Sequence, residues 1–256
     1  MTGPIQVRRF DGVTHIELHR PHRRNAIDLE LARELLRVAL DPATRSSRAL
    51  LLTGAGGHFC AGGDLKSFQT QRSLPEHLLE VTAYLHAAML RLRDVAAPLV
   101  VAARGHIAGA GLGLACFGDV LLVTPETTFR SGYAALGLTP DAATSHVVTR
   151  LIGPRRAARL LLLGEVITAQ QALDWGLCTE LVADADLDER AVELARTLAT
   201  KPPFMLGETR RLIAAATTRS LAEHLDDEAG TLARAAAFPE AAARVAAFGT
   251  HRIRHT

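Results

Sequence analysis

The sequence predicts an α/β fold, from two strand-turn-helix units and from short apolar runs that alternate with helical stretches over its first two thirds. The first unit to consider is residues 105–119, GHIAGAGLGLACFGD, which follows the apolar run 98–103. Gly109, Gly111 and Gly113, with Ala108 and Ala110 among them, lead into Leu112, Leu114, Ala115 and Cys116. That pattern is a buried strand, a turn without side-chain bulk, and the start of an apolar helix. The other unit is FCAGGDL, residues 59–65, after the apolar run 49–52. Glycine serves where backbone must approach something closely, and free N–H groups at a helix start suit an oxygen that becomes negative during a reaction. One such turn reads equally well as a packing device, but two of them could clamp a single carbonyl oxygen.

In chain order, residues 7–9 and 13–18 alternate around Asp11-Gly12 as a hairpin, and Pro21 ends the second strand. Arg20, His22, Arg23 and Arg24 read as a basic loop ahead of Asn25. Asp28 caps a helix over 29–40, whose Leu31, Leu35, Val38 and Ala39 share one face. Residues 67–74 read as a polar loop. A helix over 76–93 then carries Leu78, Leu79, Leu85, Met89 and Leu92 at helical spacing, with His86 on it. Residues 120–123 are a buried strand, and 128–129 begin a short one. Tyr133 and Leu136-Gly137 lead to Thr139-Pro140-Asp141 and a helix through Val147, Val148 and Leu151, where an acid has helix capping as its ordinary role. Helices are expected over 153–163, over 169–175 between Thr168 and Gly176, and over 189–199 before Pro202-Pro203. From Phe204 the chain is helical and alanine-rich, broken at Pro239. The expected division is a core domain over 1–200 and a helical C-terminal region over 201–256.

A chain of 256 residues, 48% hydrophobic, is long enough to bury a sizeable core. The net charge of +2, with no basic stripe interleaved with aromatics, argues against a nucleic-acid partner. Cys60, Cys116 and Cys178 lie far apart in apolar settings without metal-ligand spacing, so buried free thiols in a reducing compartment and no metal site are expected. No segment reads as a signal peptide or a membrane span, which leads to the expectation of a soluble, cytoplasmic protein with no membrane partner.

The motifs PHRRNAID, FCAGGDL, GHIAGAGLG, LGLTPDAATS and LLLLGEVITAQQALDWGLCTELV, in this order between Gly12 and Arg252, resemble the crotonase family, also called the enoyl-CoA hydratase/isomerase superfamily. The resemblance implies a spiral of strand-strand-helix units with a helical C-terminal trimerisation region. It also implies a homotrimer or hexamer, an acyl-CoA thioester as substrate, and no cofactor beyond the coenzyme A that the substrate carries. In the family the thioester carbonyl sits between two backbone N–H groups, which by position belong here to Gly63 and Ala110. The substrate-binding positions carried over are Ala26, Ala61, Phe68, Gly109, Tyr133 and Leu136. Arg24 and Lys66 become contacts for the phosphates of coenzyme A, since a guanidinium pairs well with phosphate oxygens. His86 stands at the distance before Pro98 at which the chlorobenzoyl-CoA dehalogenase branch carries a histidine, which makes it a further candidate substrate-binding residue of the active site.

The family's hydratases use two glutamates, and the matching positions here are Gly113 and Tyr133. Glycine has no side chain and a phenol titrates near pH ~10, so neither does this acid–base work at neutral pH. Asp141 in LGLTPDAATS resembles the isomerase branch that carries one acid just after LG-x-x-P. A double-bond shift needs one base, which takes a proton from the carbon beside the thioester and returns it two carbons further along. The same position holds the nucleophilic aspartate of the dehalogenases, with similar neighbouring sequence. An aspartate attacking an aromatic carbon needs a pocket of aromatic rings, and this chain, 4% aromatic, offers Tyr133 in place of a dehalogenase tryptophan, with Phe68, Phe129 and His86. The isomerase is therefore the preferred reading, with the dehalogenase-like hydrolase as its alternative. A non-catalytic acyl-CoA-binding homologue is the reading from a different class.

Overall fold

The computed structural model describes residues 3–252. Two compact units divide the chain, Met1–Thr200 and Lys201–Thr256. The first unit begins with β1 (Ile5–Phe10) and β2 (Val13–Leu18), followed by α1 (Leu29–Leu40), α2 (Pro42–Arg45) and β3 (Ala49–Gly54). Next come α3 (Leu65–Gln69), α4 (Leu74–Asp94), β4 (Leu99–Ala103), β5 (His106–Ala108), α5 (Ala110–Cys116), β6 (Val120–Val123) and β7 (Thr128–Arg130). It closes with α6 (Thr144–Leu162), β8 (Ile167–Thr168), α7 (Ala169–Trp175), β9 (Glu180–Leu181) and α8 (Leu187–Ala199).

A six-stranded sheet runs in the order β1-β2-β3-β4-β6-β9, antiparallel between β1 and β2 and parallel from β2 onward. Parallel strands are covered on both faces, and β4 is accordingly buried along its whole length. On one face lie α1 and α4, whose Leu31, Leu35, Val81, Leu85 and Met89 join the main core with α5 and α6. On the other face α8 presents Leu187, Ala191, Ala195 and Ala199 to Leu51, Val100 and Leu122. A small second sheet, β5-β7-β8, branches beside the start of α5. The expected cap of α1 is present: the Asp28 carboxylate accepts the Leu31 N–H at 2.9 Å. Cys60, Cys116 and Cys178 are free and buried. Among the described residues, no helix is long and apolar enough to cross a membrane.

Two local expectations are corrected and one is refined. Residues 67–74 are not a polar loop throughout, because Asp64 accepts the Ser67 N–H at 3.3 Å and nucleates α3, while Leu74 and Pro75 already begin α4. The two expected helices, around 147–151 and over 153–163, are both present within α6 and are separated at Gly153, whose φ of +77° and ψ of 162° are non-helical. The C-terminal helical region is broken a second time, before Ser220.

That second unit contains α9 (Pro203–Ala215), α10 (Leu221–Ala236) and α11 (Pro239–Arg252). Ser220 and Glu223 form a reciprocal capping box that starts α10. Arg211 joins α9 to α10 by holding Glu208 at 2.9 Å and Asp227 at 2.5 Å. Ile213, Leu221 and Leu232 are about 70% exposed or more in this unit (69%, 75% and 72%). The last four residues of the expected C-terminal region, 253–256, lie outside the described residues.

Candidate active site

The two turns meet because each is too small to hold the other away. Ile27 forms a parallel bridge with Gly63: its N–H donates to the Gly62 carbonyl at 2.7 Å, and its carbonyl accepts from Asp64 at 2.8 Å. Gly62 has φ +92°, and a Cβ there would stand 2.8 Å from the Ala108 carbonyl oxygen of the second turn. Gly109 has φ +51° and ψ −128°, a conformation open to glycine, and donates its N–H to the Arg130 carbonyl at 3.2 Å. Helix α5 starts on the next residue. Among the described residues, no backbone acceptor takes the N–H of Gly63 or of Ala110, the pair expected to face a carbonyl.

A buried polar network fixes the first turn. Asn25, fully buried with φ +54°, donates to the carbonyls of Ala55 at 2.9 Å and His58 at 2.7 Å, while its own carbonyl accepts the Arg20 N–H at 2.8 Å. The Arg20 guanidinium bonds the Ala26 carbonyl and pairs with Asp28 at 2.6 Å and Asp64 at 3.0 Å. Burial pushes the Asp64 carboxyl upward, but hydrogen bonds from Arg20 and from Ser67 hold it below its ordinary value, so it stays ionised. Arg20 is therefore not part of a loose basic loop. It is the clamp behind Gly63.

A cavity of about 560 Å³ opens beside both turns. Ala61 and Gly63 line it from the first turn, Gly109 and Ala110 from the second, Leu65 and Phe68 from α3, and Leu78, Leu79, Thr82 and Leu85 from α4. Tyr133, Leu136, Leu138, Pro140 and Asp141 close the remaining side. Arg130 and Asp141 are the charged residues among those lining it.

Asp141 is not the cap of α6. Its carboxylate Oδ1 accepts the Tyr133 hydroxyl, and it is the Asp141 backbone carbonyl that accepts the Thr144 N–H, at 2.8 Å. Oδ2 has no protein hydrogen bond among the described residues and is free to meet a ligand. Burial first, then the charge and hydrogen bond of Asp141, push the Tyr133 phenol well up, so it remains a protonated donor. Between Asp141 and α6 the chain turns through two left-handed alanines, Ala142 (φ +48°) and Ala143 (φ +57°). Each such residue costs roughly 1–2 kcal/mol, so the surroundings must hold the turn. The Ala142 N–H donates to His86 Nε2 at 3.1 Å.

Gly113 lies directly beneath this turn. A Cβ on it would stand 2.5 Å from Thr144 Oγ1 and 3.0 Å from the Ala142 carbonyl carbon, and closer still to the carbonyl oxygen. The space that a first glutamate would need is filled by the backbone that carries Asp141.

Several expected positions lie elsewhere. His86 is outside the cavity lining and binds backbone instead. Ala26 is buried behind the wall, engaged through its carbonyl with Arg20. Arg24 and Lys66 are exposed and outside the lining. Phe129 is fully buried in the core, which leaves Phe68 and Tyr133 as the aromatic rings at the cavity. Sequence reasoning missed Arg20, Asn25 and Ile27, and it read Leu78, Leu79 and Thr82 as helix rather than as cavity wall. The available signal for the latter was the apolar run of α4 that includes Leu78 and Leu79.

Residues 8–247 match the family described as enoyl-CoA hydratase/isomerase, and the chain belongs to that family, the crotonase superfamily. It is 36% identical over 221 residues to a 1,2-epoxyphenylacetyl-CoA isomerase of Escherichia coli K12, which spans 85% of this chain and 84% of the relative. It is 29% identical over 253 residues to the 4-chlorobenzoyl coenzyme A dehalogenase-2 of an Arthrobacter species, spanning 98% of this chain and 92% of the relative. A crystal structure from Thermobifida fusca YX in complex with acetoacetyl-CoA superposes with a TM-score of 0.85 at 30% identity, covering 92% of this chain and 96% of that one. The protein is thus a crotonase-family acyl-CoA enzyme with the family's α/β fold.

Proposed function

We propose that this enzyme moves the double bond of a 3-enoyl-CoA to the 2-position, using Asp141 as its single base. The observation that carries the reading is one carboxylate, hydrogen-bonded on Oδ1 and free on Oδ2, in an apolar cavity beside two unpaired backbone N–H groups. Oδ2 takes a proton from the carbon beside the thioester. The electron pair released forms a double bond between that carbon and the carbonyl carbon, and the carbonyl π pair moves onto its oxygen, giving a dienolate in which the original double bond is still in place. The resulting negative oxygen is held by the Gly63 and Ala110 N–H groups, each donor worth on the order of 3 kcal/mol. The proton then returns two carbons further along: the oxygen's electrons re-form the carbonyl, the enolate double bond shifts to the 2-position and the original double bond's pair takes the proton, which leaves the 2-enoyl-CoA and regenerates the carboxylate. Tyr133 keeps Asp141 oriented throughout, and no second acid is required.

The closure of the space at Gly113 supports isomerisation over hydration, and the presence of just two aromatic rings at the cavity supports it over attack on a chloroaryl group. The test is a turnover screen with 3-enoyl-CoA, 2-enoyl-CoA and 4-chlorobenzoyl-CoA. A rise in conjugated-thioester absorbance from 3-enoyl-CoA alone supports the reading, and chloride release or water addition as the faster reaction overturns it. Binding of all three without turnover would mark an acyl-CoA-binding homologue.

Arg24 and Lys66, exposed beside the first turn, are proposed to hold the phosphates of coenzyme A. Arg24→Ala is expected to weaken acyl-CoA binding by roughly 1.5–3 kcal/mol, read by calorimetry as a change in affinity rather than in turnover. Unchanged affinity would remove Arg24 from the site. The exposed Ile213, Leu221 and Leu232 support a trimer or a dimer of trimers built on the C-terminal unit. Light scattering at micromolar concentration should find a mass of three or six chains, and a monomer would end that proposal.

A further inference from the structure

The turn that carries Asp141 holds two consecutive alanines in the left-handed region, which alanine does not adopt without support. On one side of it α5 offers Gly113, which makes room but no hydrogen bond. On the other side is α4. Leu85, Ala88 and Met89 are buried in the main core, so the helical backbone from which His86 projects is fixed. His86 Nε2 lies 3.1 Å from the Ala142 nitrogen. An amide N–H can only donate, so Nε2 is the unprotonated nitrogen of a neutral imidazole and its lone pair is committed to the backbone. The residue is outside the cavity lining and exposed, so Nδ1–H can remain hydrated.

Resting on the assignment of Asp141 as base, we infer that His86 is a positioning residue: it ties the Asp141-Ala142-Ala143 turn to the rigid helix α4 and thereby aims Oδ2 into the cavity. It does not touch substrate. Activation of a water by Nε2 would require breaking the Ala142 bond, and with it the turn that presents the carboxylate.

The variants His86→Leu and His86→Gln test this, because glutamine can offer Oε1 to the same N–H and leucine cannot. Two readouts are taken: amide hydrogen exchange in a peptide spanning residues 139–147, and turnover of 3-enoyl-CoA. His86→Leu should speed exchange at Ala142 by about tenfold. Its kcat should fall on the order of 10²-fold, the cost of a misplaced reacting group, with KM within about twofold of the parent. His86→Gln should restore most of both. Unchanged exchange in His86→Leu would overturn the inference. So would an equal loss of turnover in both variants with exchange at parent level, since that would make His86 a group acting on the reactants. If Asp141→Asn kept its turnover, the proposed function would fail, while the exchange comparison would still decide whether His86 holds the turn.

Discussion

Asp141→Asn is expected to fold, to bind acyl-CoA with parent affinity, and to lose on the order of 10²–10⁴-fold in turnover of 3-enoyl-CoA. The amide keeps the size of the carboxylate, and its carbonyl oxygen can still accept the Tyr133 hydroxyl that Oδ1 accepts now. The turn behind it is held through backbone groups, the Asp141 carbonyl with Thr144 and the Ala142 N–H with His86, and these survive the substitution. What disappears is an oxygen able to take a proton. The predicted signature is a lower kcat and an equally lower kcat/KM with little change in binding, the pattern of an interaction made only in the transition state. Near-parent turnover would mean that Asp141 serves structure alone.

Gly113→Glu is expected to destroy isomerase activity without producing a hydratase. The substitution supplies the acid that the family's hydratases carry at this position, but its Cβ would meet backbone, at Ala142 and Thr144, and backbone cannot step aside as the end of a long side chain can. Overpacking of this kind costs roughly 1–3 kcal/mol or more. The cheapest relaxation moves the Ala142-Ala143 turn, which is already strained, and takes Asp141 with it. A lowered melting temperature, loss of turnover with 3-enoyl-CoA and no water addition to 2-enoyl-CoA are the expected results. A stable variant that hydrates 2-enoyl-CoA would show that this turn moves freely, contrary to the packing seen between α5 and residues 142–144.

The two predictions draw on different kinds of information. That Asp141 is the candidate base, and that Gly113 and Tyr133 stand where the family resemblance places the hydratase glutamates, was legible from residue identity in a recognisable motif order. The strands at the apolar runs 49–52 and 98–103 and the small-residue turns were legible too, because buried parallel strands leave unbroken apolar runs and a turn without side chains leaves glycines. The helix over residues 65–69 was not legible as such, since its polar sequence resembles a loop and its formation rests on a single cap from Asp64.

The role of Asp141 within its own segment was beyond the sequence. Thr-Pro-Asp ahead of a helix has the composition of a capped helix start, and local rules read it so. Its carboxylate turns instead toward Tyr133, eight residues earlier, because Ala142 and Ala143 reverse the chain before α6 begins. That reversal depends on His86, fifty-six residues away in sequence, and on the absence of a side chain at Gly113. Arg20 likewise has the composition of a solvated loop residue and becomes a buried clamp once Asp28 and Asp64 converge on it. Sequence by itself determined the elements and the chemical inventory, because those follow from periodicity and residue type over a few neighbours. Tertiary structure decided which carboxylate faces the cavity, which arginine fixes the turn and which histidine holds backbone, because each depends on partners from separate elements brought within hydrogen-bond distance when the chain folds.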